Sequence, residues 1–181
     1  MAREKARFFI GGFYIGLCIV VFYPLTRLLG RRRFEGLAHI PESGPVLVAC
    51  NHVSYLDPIY AGVFMHRRGR IPRFLAKQDL FETPVIGRVM TGAGQIPVRR
   101  GSTEAGQGLW HAEQALAAGK AVMIYPEGTG TRDPDRWPMV AYTGVARLAL
   151  HVEVRQVPAP TEFFDPLPAG GSPGRPGERP S

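Results

Sequence analysis

Between residues 45 and 125, short apolar runs alternate with longer mixed segments, and the apolar runs end in polar turns containing glycine, proline or arginine. Pro45-Val46-Leu47-Val48-Ala49-Cys50 has the length and β-branched content of a buried strand, and Ala121-Val122-Met123-Ile124-Tyr125 has the same character. Arg73-Phe74-Leu75-Ala76 and Ile96-Pro97-Val98 read as shorter strands, and residues 58–66, 84–90, 103–118 and 144–150 read as helices. Asp57-Pro58 marks the start of the first helix as an N-cap followed by proline at the first helical position. Strands alternating with helices predict an α/β fold.

The N-terminus has a different pattern. From Phe8 to Thr26 there are 19 consecutive uncharged residues, mostly apolar. As a helix they extend about 28 Å, close to the roughly 30 Å hydrocarbon thickness of a bilayer. Gly11, Gly12, Gly16 and Pro24 also permit a kinked interfacial hairpin. Arg3, Lys5 and Arg7 precede the run, and Arg27, Arg31, Arg32 and Arg33 follow it, which suits an anchor at an anionic lipid surface. The apolar run is too long for a cleaved signal peptide. At the other end, residues 158–181 hold seven prolines and four glycines and read as a disordered tail.

With 181 residues, 45% of them hydrophobic, one compact domain plus an anchor is the natural division. The net charge of +7 agrees with a membrane surface as partner. No nucleic-acid module and no interleaving of aromatic with basic residues accompanies that charge, so nucleic acid is not an expected partner. Cys18 and Cys50 have no paired spacing, which gives neither a disulfide framework nor a zinc site and fits a reducing cytoplasmic face. His39, His66, His111 and His151 lack metal-ligand spacing.

Candidate chemistry gathers where the apolar runs end. Asn51-His52-Val53-Ser54-Tyr55-Leu56-Asp57 sets an imidazole and a carboxylate five residues apart at a strand-to-helix turn. On one continuous helix they would lie about 140° apart and not meet. The bias of a pre-proline residue away from the α region predicts instead a turn that folds Asp57 back toward His52, where it can fix the imidazole tautomer and support a proton taken up by the ring. Pro126-Glu127-Gly128-Thr129-Gly130-Thr131-Arg132 follows the second long strand. Its glycines allow close backbone approach to a ligand, Thr129 and Thr131 offer hydroxyls, and Arg132 can grip a phosphate. Gly94-Gln95-Ile96-Pro97-Val98 ends in Arg99-Arg100. No Gly-x-Ser-x-Gly elbow and no nucleotide-binding loop occurs. Cys50, at the end of a buried strand, reads as core filling and not as a nucleophile.

These blocks, in this order, resemble those of the bacterial 1-acyl-glycerol-3-phosphate acyltransferases of the glycerolipid acyltransferase superfamily. That family shows an asparagine-histidine-x4-aspartate block, a glycine-x-isoleucine-proline-valine-x-arginine block and a proline-glutamate-glycine-threonine block. Here they read Asn51 to Asp57, Gly94 to Arg100 and Pro126 to Thr129, and the resemblance covers residues 34–150. It implies a mixed sheet flanked by helices, and together with the composition of the two ends it divides the chain into a membrane anchor over residues 1–33, an acyltransferase domain over 34–157 that is open to being incomplete at its C-terminal end, and the tail over 158–181. It also implies that His52 is the general base and Asp57 its orienting partner. Arg100 would bind the acceptor's phosphate, with Glu127 and Gly128 contributing to acceptor binding and Arg99 carrying less weight than Arg100.

The activity implied is transfer of a fatty acyl group from acyl-CoA or acyl carrier protein to the hydroxyl of a lysophospholipid, 1-acyl-glycerol-3-phosphate above all, with no cofactor or metal. The expected location is the cell membrane with the site facing the cytoplasm. Two departures stand out: Tyr142 occupies a place where close relatives often have lysine, and Val157-Pro158-Ala159-Pro160 only partly matches a valine-proline-valine block. The competing expectation is an incomplete, non-catalytic lipid-binding module. What decides between them is whether the chain after Leu150 completes the sheet.

Overall fold

The structure, a computed structural model, describes residues 2–99, 105–152 and 155–158. Five strands form one sheet: β1 (Val46–Ala49), β2 (Pro72–Lys77), β3 (Ile96–Val98), β4 (Ala121–Ile124) and β5 (Arg155–Pro158), in the order β3-β2-β4-β1-β5. Every strand pairing among the described residues is parallel, whereas a mixed sheet was the expectation. The helices are α1 (Ala2–Leu28), α2 (Asp57–Arg67), α3 (Asp79–Glu82), α4 (Ile86–Gly92), α5 (Ala105–Ala117) and α6 (Gly144–His151). The sequence pattern anticipated most of these elements within about two residues; α3, a single turn, and β5, whose last residue falls in the expected tail, it did not.

Proline sorts the strands. A proline cannot donate to a neighbouring strand, so it belongs at an edge or at a strand's first residue. Pro97 and Pro158 lie in the two edge strands β3 and β5, and Pro72 opens β2, while the interior strands β1 and β4 contain none. The chain after Leu150 therefore does add a strand, with Val46 to Ala49 of β1 in register with Arg155 to Pro158. The rest of the expected tail lies outside the described residues.

The apolar runs of β1 and β4 serve two cores at once, because successive side chains leave opposite faces of a sheet. Val46, Val48, Ala121 and Met123 enter one core with Tyr60, Ala61, Phe64 and Met65 of α2. Leu47, Val122 and Ile124 enter the other with Ala112 and Leu116 of α5 and Leu148 of α6. Helices thus cover both faces, and the carboxyl ends of the parallel strands are left to loops, where such folds place their chemistry.

α1 is one continuous helix that includes Pro24, so a helix forms and not the hairpin alternative. Gly11–Leu28 is long and apolar enough to cross a membrane, with mean hydropathy 1.5. Yet one side of it rests on the domain. Gly92 of α4 lies under the Tyr14 ring so closely that a Cβ there would come within 2.0 Å of it, and only glycine fits. Further along, the Tyr23 hydroxyl and His66 Nδ1 are joined by a 2.8 Å hydrogen bond, and Tyr60 donates to the Thr26 carbonyl at 3.1 Å. From Tyr14 to Thr26 this contact runs about 18 Å along the helix.

Candidate active site

His52 stands on the loop that leaves β1, and Asp57 is the first residue of α2. Asp57 is not the N-cap expected from sequence: Leu56 holds that position, with no side-chain cap bond. The Asp57 carboxylate turns back to the loop instead. Its Oδ2 accepts the Val53 N–H at 2.7 Å, the Ser54 N–H at 2.8 Å and His52 Nδ1–H at 2.9 Å. A carboxylate oxygen can only accept, so Nδ1 carries the ring proton and the basic nitrogen Nε2 is the one left for a ligand. Asp57 is 3% exposed, and one of its oxygens meets three donors. The turn that returns the carboxylate forms at Ser54–Leu56, closed by Asp57 N–H donating to the Ser54 carbonyl at 3.1 Å, and Asp57 itself is already helical, so the expected bias of a pre-proline residue away from the α region is not what makes it.

The backbone of His52 is gripped from the neighbouring strand. β4 runs beside β1, and its exit turn supplies Glu127, which is 5% exposed. Glu127 Oε1 accepts the His52 N–H at 2.9 Å, and the Thr131 N–H donates to the His52 carbonyl at 2.6 Å. The other Glu127 oxygen, Oε2, accepts the Met139 N–H at 2.9 Å. Backbone donors thus engage both oxygens, and the side chain ties the histidine loop to the segment around Met139. Gly128 turns the chain at φ 71°, and the Tyr142 ring covers it at 2.9 Å from where a Cβ would stand. A side chain there would be strained in both backbone and packing.

Beneath the histidine lies a residue that sequence reasoning passed over. The Tyr125 ring stacks on the His52 ring, with centroids 4.5 Å apart, and parallel to Phe74 beyond it. This sandwich limits the tilt of the imidazole. The Tyr125 hydroxyl is buried with no hydrogen-bond partner among the described residues. Burial, and then the nearby Cys50 and Asp57, push its pKa above the usual tyrosine value. Burial first and the Asp57 charge second push the Cys50 thiol up to about 12, consistent with core filling.

A cavity of about 730 Å³ adjoins these groups. Ile15, Cys18, Ile19 and Phe22 of α1 line it, with Ile59 and Val63 of α2, Phe74 and Leu75 of β2, and Val89 and Met90 of α4. His52, Gly128, Thr129 and Gly130 line the same space, so the imidazole and the glycine turn border an otherwise apolar chamber. The spacing of Ile59, Val63 and His66 along α2 carried the signal for this wall, but only α1 on the far side makes it a cavity.

The structure therefore brings His52, Asp57, Glu127, Gly128 and Thr129 together. Arg132 follows on the next loop, exposed and without an ion-pair partner among the described residues. Arg99 is exposed at the end of edge strand β3, with β2 between β3 and β4. Arg100 lies outside the described residues.

An imidazole oriented by a carboxylate, a glycine turn and an apolar chamber are parts suited to acyl transfer, and the chain matches the acyltransferase family over residues 31–161. The chain belongs to that family. Among its relatives is the chloroplastic 1-acyl-sn-glycerol-3-phosphate acyltransferase LPAT1 of Arabidopsis thaliana, 29% identical over 80% of this chain and 40% of the relative. A 1-acyl-sn-glycerol-3-phosphate acyltransferase of Borreliella burgdorferi is 30% identical over 55% of this chain and 39% of the relative. The chain thus spans about two fifths of the length of these curated relatives. The crystal structure of the 1-acyl-sn-glycerophosphate acyltransferase PlsC from Thermotoga maritima shares the fold of this acyltransferase-family chain. Its TM-score is 0.61 at 23% identity, over 85% of this chain and 58% of that one.

Proposed function

We propose that this acyltransferase-family protein moves a fatty acyl group from acyl-CoA or acyl carrier protein to the free hydroxyl of a lysophospholipid, 1-acyl-glycerol-3-phosphate above all, yielding phosphatidic acid. The observation that carries the reading is the His52–Asp57 hydrogen bond of 2.9 Å beside the 730 Å³ apolar chamber. In this mechanism His52 Nε2 takes the proton from the acceptor hydroxyl as its oxygen attacks the thioester carbonyl carbon. The tetrahedral intermediate collapses, the C–S bond breaks and the imidazolium returns the proton to the departing thiolate. Asp57 stabilises the imidazolium through Nδ1–H.

A thioester is already activated, so the steps asked of the protein are proton transfer and alignment, and no enzyme nucleophile is needed. The acyl chain occupies the apolar chamber, and the acceptor phosphate is met by the basic residues Arg99, Arg100 and Arg132 with the Gly128–Thr129 turn. No metal or cofactor takes part. The site belongs at the cell membrane, facing the cytoplasm. The apolar length of α1 and the unpaired cysteines Cys18 and Cys50 support that location.

Incorporation of labelled acyl chains into 1-acyl-glycerol-3-phosphate by membranes carrying the protein tests the reading. Loss of His52 in His52→Ala should remove about 10²- to 10⁴-fold of turnover. Turnover that survives the substitution rejects the base, and no turnover in either form favours a non-catalytic lipid-binding module.

A further inference from the structure

The turn at Gly128–Gly130 continues into residues 132–142, where two arginines and two aspartates, Arg132, Asp133, Asp135 and Arg136, are exposed together with three large apolar or aromatic side chains. Trp137 is 60% exposed, Val140 93% and Tyr142 71%, and Tyr55, on the loop beside His52, is 93% exposed. This exposure does not come from a loose backbone. Thr131 Oγ1 donates to the Trp137 carbonyl at 2.7 Å, Met139 N–H donates to Glu127, and Tyr142 N–H donates to the Pro126 carbonyl at 2.8 Å. Asp133 Oδ1 accepts the Asp135 N–H at 2.9 Å and the Trp137 N–H at 3.3 Å. The segment is thus built to hold these side chains outward, and Asp133 is taken up by its own backbone. Arg132 and Arg136 are exposed, with no ion-pair partner among the described residues.

Two observations say what covers this surface. Tyr55 and Gly128–Gly130 line the same cavity as α1, and the side of α1 turned away from the domain exposes Phe13, Leu17, Val20 and Leu28 in one stripe. Tyr55 and the turn that leads into residues 132–142 therefore border one chamber with the inner side of α1, whose outer side carries the apolar stripe. The side-chain set also matches the headgroup layer of a bilayer, where tryptophan and tyrosine lodge an apolar ring with a polar edge and arginine pairs with phosphate.

We propose that residues 132–142, together with Tyr55, form a second membrane contact seated in the headgroup layer of a phospholipid bilayer, joined to the cavity that α1 walls by Tyr55 and the Gly128–Gly130 turn. A lysolipid can then pass from the bilayer into the cavity between the two contacts without entering bulk water. That route rests on the acyltransferase reading, whereas the lipid contact itself does not.

The full chain, reconstituted with vesicles of phosphatidylcholine and phosphatidylglycerol brominated high on the acyl chains, tests the contact. The chain has two tryptophans, so Trp110→Phe leaves Trp137 as the sole indole. Its fluorescence should be strongly quenched in bound protein. Protein that fails to float with the vesicles, or that floats with Trp137 unquenched, overturns the proposal.

Val140→Asp supplies a second reading. It should raise the apparent KM for a long-chain lysolipid in vesicles about tenfold, the worth of one modestly buried apolar side chain, and leave turnover of a short-chain soluble lysolipid unchanged. An equal loss with both acceptors, or no loss with either, counts against the contact. If the unaltered chain acylates neither acceptor, the acyltransferase reading fails and quenching alone decides the contact.

Discussion

Glu127→Gln separates a side chain that holds the site together from one that meets the substrate. In the native site the two carboxylate oxygens accept N–H groups from different segments, His52 and Met139, each at 2.9 Å. An amide has one acceptor and one donor, so one of those N–H groups must face an NH₂. A hydrogen bond to a charged acceptor is worth about 1.5–3 kcal/mol, and a buried donor left unpaired costs about 1–3 kcal/mol. With partial relaxation the expected loss is about 2–4 kcal/mol. For a chain of this size that lowers the melting temperature by roughly 5–15 °C.

The freed histidine loop should also cost turnover, since a shift of about 1 Å in a catalytic group can cost about 10²-fold. Thermal unfolding in detergent and initial rates over a range of acceptor concentrations check both parts. The signature of a clamp is a lower melting temperature with a lower kcat. A variant that melts like the native protein and shows only a raised acceptor KM would falsify the clamp and make Glu127 a substrate contact.

Asp57→Asn keeps an oxygen that can accept the same three donors but removes the charge that supports the imidazolium, so kcat should fall about 10²-fold or more while KM for the acceptor changes little. A kcat within a few-fold of native sinks the proposed pairing. For Cys50, burial and the Asp57 charge lift the thiol to about 12, so raising the pH from 6 to 9 creates almost no thiolate, where an ordinary cysteine near 8.5 would become mostly ionised. Iodoacetamide at pH 8 should therefore leave Cys50 unlabelled in folded protein, and Cys50→Ala should keep its turnover; an acyl group trapped on this sulfur refutes the direct-transfer mechanism. Tyr125→Phe deletes a buried hydroxyl that has no partner among the described residues but keeps the ring that stacks on His52, so stability should hold or rise by about 1 kcal/mol. A clear drop in melting temperature would show that the hydroxyl is paired after all.

Local pattern carried a great deal here. The buried runs at 46–49 and 121–124 announce themselves as strands because both faces of each are covered, and proline at 97 suits an edge, whereas Pro158, where the other edge strand ends, reads in sequence as the start of a disordered tail. The contact between His52 and Asp57 was legible as a spacing, five residues apart between a strand end and a helix start, although the turn that makes it lies at residues 54–56 and not at the pre-proline residue, which is helical.

What lay beyond local pattern was set by pairings between distant segments. The order β3-β2-β4-β1-β5, parallel among the described residues, comes from crossovers that no window of sequence contains. Placing β4 beside β1 is what lets Glu127 reach the His52 backbone 75 positions away. The apolar run at the N-terminus has the composition of a membrane helix, but composition cannot tell that one of its sides is docked on α2 and α4 and walls the chamber beside the imidazole. Residue types and near-neighbour spacing thus determined which chemistry the chain carries. Only tertiary packing decided what stands opposite it, because a cavity exists only between surfaces that the chain brings together from far apart.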